Sequence, residues 1–114
     1  MHGVSLRVTL GHMATPISIN IPHQLGRAEA RRRIEAGFAR LVSQLPVSGG
    51  ICNERWDDDR LTFSVTAVGQ TITGVVIVLD AAVTMEIELP GLLGMIASGL
   101  KARLQKMGQL LLTK

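Results

Sequence analysis

The spacing of apolar residues changes three times along this chain, and those changes limit the folds open to it. Between residues 51 and 89 apolar side chains recur at every second position, whereas in the flanking segments 27–45 and 93–111 they recur every three or four. A period of two lines one face of a pleated strand, and three-four spacing lines one stripe of a helix. The middle of the chain therefore reads as four strands. Ile51 to Trp56 comes first, closed by the turn-prone Asp57-Asp58-Asp59. Leu61, Phe63, Val65 and Ala67 alternate with Thr62, Ser64 and Thr66, and Gly69-Gln70 supplies a short hairpin connection. Ile72 to Leu79 is apolar on both faces, which predicts a central strand covered twice. After a turn at Asp80, Val83, Met85, Ile87 and Leu89 alternate with Thr84, Glu86 and Glu88, completing an antiparallel meander with one wet face.

Upstream, Ile17, Ile19 and Ile21 alternate with Ser18 and Asn20 until Pro22 ends the strand. From Arg27 to Leu45 the apolar positions Ala30, Ile34, Phe38, Leu41, Val42 and Leu45 line one helical face. Glu29 lies four residues before Arg33, the favourable order for a helical ion pair. Gly37 either weakens this helix by about 1 kcal/mol relative to Ala or marks a close approach to the sheet. Pro46 and Ser48-Gly49-Gly50 end it. Pro90-Gly91 opens a last helix, with Leu93, Ala97, Leu100, Leu104, Met107 and Leu111 on one stripe.

The order β-α-β-β-β-β-α predicts a single α+β domain over residues 15–114, an antiparallel curved sheet with both helices packed on one face. Such a sheet gripping a long C-terminal helix resembles a reduced helix-grip (START-like) fold. Residues 1–14 read as an N-terminal extension, either disordered or an added edge strand, because Val4, Leu6, Val8 and Leu10 also alternate with polar residues.

Composition removes several function classes. A 114-residue chain holds one domain. Two Phe, one Trp and no Tyr leave little to stack on bases or sugars. A single cysteine forbids an internal disulfide and a Cys-based zinc site. His2, His12 and His23 show no metal-ligand spacing, and Asp57-Asp58-Asp59 lacks the EF-hand pattern and reads as a solvated turn. Cys52, in a strand, reads as a buried and inert thiol, and nothing in the sequence brings His23 to it. Gly91 and Gly94 open a helix without the Lys-Ser/Thr of a phosphate loop. The expectation is a protein that is not an enzyme and holds neither cofactor nor metal. No signal peptide and no apolar run long enough to span a bilayer are visible, so a cytoplasmic location is expected.

Charge is distributed unevenly. Residues 1–50 carry six arginines against two glutamates, residues 51–90 two arginines against seven acids, and residues 91–114 four basic residues and no acid. Both helices are therefore basic and the strands between them acidic, which suits internal complementarity or an anionic partner. Arg31-Arg32-Arg33, with Arg27 and Arg40, reads as a solvated helix face rather than a nucleic-acid reader, since no second helix of a helix-turn-helix accompanies it. The last helix is apolar beyond one contact face. Leu92, Ile96, Leu110, Leu111 and Leu112, with Lys101, Arg103 and Lys106, suit packing on the sheet or contact with an amphiphilic surface.

Ile19-x-Ile21-Pro22-His23-x-Leu25-Gly26, then Glu29-Ala30 and Arg33, resembles the opening of the polyhydroxyalkanoic acid system (granule-region) proteins. Arg55-Trp56, Leu61-x-Phe63, Gly74, Val78-x-Asp80 and Leu89-Pro90 follow in matching order, so the resemblance covers about Ile17 to Leu112. It implies a bacterial, cytoplasmic protein in the context of polyester storage granules and assigns no catalytic residue; Pro22, His23, Gly26, Arg55 and Trp56 are family marks without a role. His23 and Trp56 read most simply as a turn-fixing histidine and a core tryptophan.

Three uses of the fold stay open. The first is an accessory protein binding a granule surface or granule protein through Leu92, Ile96, Lys101, Arg103, Lys106, Leu110 and Leu111. The second is a carrier holding an acyl chain between sheet and last helix, lined by Phe63, Val65, Val76, Val78, Met85, Ile87, Leu100 and Leu104. The third is a homodimeric adaptor joined through exposed strand edges. An enclosed apolar cavity would favour the carrier, and a solid core with exposed leucine on the last helix the surface binder.

Overall fold

The computed structural model describes residues 15–45, 51–67 and 69–113. The N-terminal extension expected at residues 1–14 and the linker at residues 46–50 lie outside the described residues. Strand β1 (Thr15–Pro22) leads into helix α1 (Arg27–Val42). Strands β2 (Ile51–Asp57), β3 (Arg60–Ala67), β4 (Gln70–Val78) and β5 (Ala82–Leu89) follow, then a 3-10 helix over Gly91–Ile96 and helix α2 (Ala97–Leu111).

The five strands form one sheet in the order β1-β5-β4-β3-β2, antiparallel throughout. Tight turns join β2 to β5: Asp57 faces Arg60, Ala67 faces Gln70, and Val78 faces Val83. Asp58 takes φ 56°, a left-handed conformation that Asp adopts more readily than most residues. Strand β1 pairs with β5, Pro22 opposite Ala82, so α1 carries the chain from one edge of the sheet to the other.

Directly paired residues share a face. Ile19, Met85, Val76, Leu61 and Trp56 form one row across the sheet, and Ile17, Ile87, Gly74, Phe63 and Glu54 the next. From β1 to β3 these side chains are buried, and they form one core with Ala30, Ile34, Phe38 and Leu41 of α1 and Leu100 and Leu104 of α2. Both helices therefore cover the same face. Phe38 meets Phe63 edge to face at 5.1 Å between ring centroids. The prediction that β4 is covered twice is corrected: Val75 and Ile77 on the far face are only half-buried, and Thr71 and Thr73 beside them are exposed.

Two further expectations shift. The close approach at Gly37 is to Leu111 of α2, whose side chain occupies the position of the absent β-carbon, and not to the sheet. The last helix becomes α-helical only at Ala97, because Pro90 fixes the entry and Gly91 and Gly94 weaken the first turns, leaving the 3-10 segment.

Candidate functional site

At one end of the sheet the segment from Pro22 to Arg27 ties down two hairpin turns. His23 is buried; its Nδ1 accepts the Leu25 N–H at 3.2 Å, which leaves Nε2–H to donate to the Leu79 carbonyl at 3.1 Å. The His23 backbone N–H donates to the Ala81 carbonyl. Gly26 then takes φ 81° to start α1, a conformation that other residues resist. Arg27 reaches Asp80 at 3.1 Å and Asp59 at 3.4 Å, so the acidic turn expected to be wholly solvated is tied to the helix through Asp59. Pro22, His23 and Gly26 thus share one structural clasp, in which both imidazole nitrogens are engaged.

A second clasp joins the helices. Arg32 and Arg33 donate to the Glu29 carboxylate, and these hydrogen bonds hold its pKa down at about 2. Arg33 also donates through Nη1 to the carbonyl of Leu111, the last residue of α2, and to that of Thr113 just beyond it. Arg31 stacks on Trp56 with its guanidinium carbon 4.4 Å from the ring centroid. Trp56 is half-buried, packed against the rim of the core beneath that arginine, and Arg55 beside it is exposed.

Cys52 departs from expectation. It shares a row with Val65 on the helix-facing side, but β2 is an edge strand that reaches beyond the helices, and the thiol is exposed. Desolvation, helped by the nearby Glu54 carboxylate, pushes its pKa up, opposite to an activated nucleophile. The turn that holds His23 lies at the other end of β2, so the two are not brought together. Among the described residues no three His, Cys, Asp or Glu side chains gather as a metal site.

The eight residues considered for a pocket, Phe63, Val65, Val76, Val78, Met85, Ile87, Leu100 and Leu104, are all buried in the core. The space enclosed between sheet and helices there is about 10 Å³, too small for an acyl chain. Closure follows from tight seating of α2, whose Gly108 lies directly on Ile21 of β1.

The surface residues considered on the last helix divide. Lys101, Arg103, Lys106 and Leu110 are exposed, Leu110 at 64%. Ile96 is half-buried. Leu111 is half-buried against Gly37 and Leu112 is buried, so both belong to the packing between helices and core rather than to a free surface. The side chain of Leu92 lies outside the described residues. Met95, in the 3-10 segment, is 89% exposed. Apolar spacing does not single it out, because the spacing belongs to an α-helix and the chain there is wound more tightly. Positions 99, 103, 106 and 110 follow four-three-four spacing, so Arg103, Lys106 and Leu110 share the outward face of α2. No helix among the described residues is long and apolar enough to cross a membrane.

Comparison with known proteins agrees with this architecture. The di-domain ARO/CYC BexL from the BE-7585A biosynthetic pathway superposes with a TM-score of 0.57 at 12% identity, over 97% of this chain and 53% of that one. The chain thus spans about half of that protein, and the likeness is one of fold, in keeping with the helix-grip reading. A search of curated proteins finds no match. The family described as "Putative polyhydroxyalkanoic acid system protein" matches residues 17–111, from the first buried isoleucine of β1 to the last residue of α2. The chain therefore belongs to the polyhydroxyalkanoic acid system protein family.

Proposed function

We propose that this protein is a non-enzymatic, cytoplasmic accessory of polyhydroxyalkanoate metabolism that meets a hydrophobic, anionic granule surface through its C-terminal helical segment. The observation that carries the reading is the exposure of Met95 and Leu110, 89% and 64%, on a molecule whose core is otherwise closed. Lys101, Arg103 and Lys106 are exposed between them, and residues 91–113 contain no acid to neutralise them. Apolar anchors flanked by basic side chains suit an interface of apolar matter bearing anionic groups. A carrier would have to open the packing at Phe63, Met85 and Leu104 before admitting a chain.

The test is co-sedimentation with polyhydroxybutyrate particles coated with anionic phospholipid, and with neutral liposomes as a control. The wild type should pellet with the coated particles and be released by salt. A Met95→Glu/Leu110→Glu variant should stay in the supernatant while keeping the wild-type circular dichroism spectrum. Failure of the folded wild type to pellet, or undiminished pelleting of the variant, overturns the reading.

A further inference from the structure

The sheet face opposite the helices carries a charge gradient. Arg55, Thr62, Val75 and Glu86 form one registered row across β2, β3, β4 and β5. The arginine and the carboxylate at its ends stand three strand spacings apart, about 14 Å. Arg60 adds a second exposed guanidinium at the β2–β3 side, facing the exposed Asp57 in register, and Glu88, opposite Thr73, a second carboxylate on β5, so one net positive charge at one end stands against two negative charges at the other. None of these five groups forms an ion pair among the described residues. Two hollows of about 570 and 260 Å³ cover the ground between them and share Thr62 and Thr73; Glu54 and Asp57 also line the larger, and the two guanidiniums must outweigh them.

We infer that this face binds a short linear oligoester of hydroxyacids, its carboxylate over Arg55 and Arg60 and its terminal hydroxyl toward Glu86 and Glu88. Such a molecule has the same direction as the face. A guanidinium fork takes a carboxylate through two parallel hydrogen bonds. Glutamate carboxylates only accept, so they favour a terminal O–H and repel an anionic end. Between the ends, the hydroxyls of Thr62, Ser64 and Thr73 can donate to ester carbonyls, and the half-buried Val75 offers an apolar contact to the alkyl branches. A unit of three backbone bonds spans about 3.5 Å, so a 3-hydroxyacid unit of four bonds spans about 4.7 Å and three units cover about 14 Å. The ester chemistry rests on the polyhydroxyalkanoate context proposed above; the charge direction does not. The face lies across the sheet from α2 and is separate from the particle contact.

Titration of isotope-labelled protein with the linear trimer of 3-hydroxybutyrate, followed by amide chemical shifts, tests this. Shifts should centre on the open face of β2 to β5. Affinity should fall at least tenfold for the trimer methyl ester and for an Arg55→Gln/Arg60→Gln variant. Methylating the terminal hydroxyl should weaken binding severalfold to the wild type but leave binding to a Glu86→Ala/Glu88→Ala variant, which lacks the acceptors, unchanged. Circular dichroism verifies that both variants fold. Absence of shifts on this face, equal binding of the methyl ester, undiminished binding by the arginine variant, or equally tight binding of inorganic phosphate would overturn the inference. Trimer binding by a protein that fails to pellet with particles would sink the α2 reading alone; pelleting without trimer binding would sink this one alone.

Discussion

The Cδ1 atom of Ile21 fills the space that a β-carbon on Gly108 would need. Helix α2 therefore rests on β1 with only the thickness of one isoleucine between them, and Ile21, fully buried, has nowhere to move. Gly108→Ala should destabilise the protein by about 1–2 kcal/mol, overpacking outweighing the gain in helix propensity. Gly37→Ala faces the ends of Leu111, which is half-buried and can turn aside, and should be near neutral. Urea denaturation of the two variants measures the contrast.

His23→Ala removes both imidazole hydrogen bonds and leaves the Leu25 N–H and Leu79 carbonyl without these partners. The expected loss is about 2–3 kcal/mol, seen as a lower urea midpoint with unchanged slope. A loss below about 0.5 kcal/mol would show that the clasp does not hold the turn.

Glu29 governs an acid-sensitive contact. Its folded pKa of about 2 lies below the ordinary 4.5, so its contribution is fully present above about pH 4.5 and fades as pH falls toward 2. The wild type should therefore be more stable than Glu29→Gln at pH 6, with the gap closing below pH 4. Carboxyl chemical shifts across the same range locate the titration directly.

Leu110 and Leu111 are neighbours with opposite fates. Leu110→Glu should change stability by less than about 0.5 kcal/mol, whereas Leu111→Glu puts a charge between the helices and should lose about 3 kcal/mol or more. Thermal melts of the two single variants separate the exposed side of α2 from its packed side.

Much of this architecture is legible in the residues themselves. Alternation identifies β1, β3 and β5 because the helix-facing residues are apolar and their neighbours mostly Thr, Ser, Asn or Glu, whereas β4, with Val75 and Ile77 on its open face, misleads about its cover. The Glu29–Arg33 pair follows from spacing alone. What escapes is whatever depends on where the sheet ends. Cys52 sits on a strand with an ordinary strand pattern, and its exposure comes from being at an edge beyond the helices. Leu110 and Leu111 are identical in type, and only the seat of α2 on Gly37 decides which one is covered. The open-face row from Arg55 to Glu86 joins residues 31 positions apart, and only the register brings them into line.

Strand order also sets a timetable for synthesis. Strand β1 leaves the ribosome first, yet its partner β5 begins 60 residues later, Pro22 waiting for Ala82. At about 5–20 residues per second, Ile17, Ile19 and Ile21 have no strand to pair with for about 3–12 s. The meander can assemble hairpin by hairpin in the meantime, but closing the sheet requires the oldest strand to add to the newest. A nascent chain stalled before residue 82 would expose a sticky isoleucine ribbon, making translation pauses in the second half of the message a direct threat to yield.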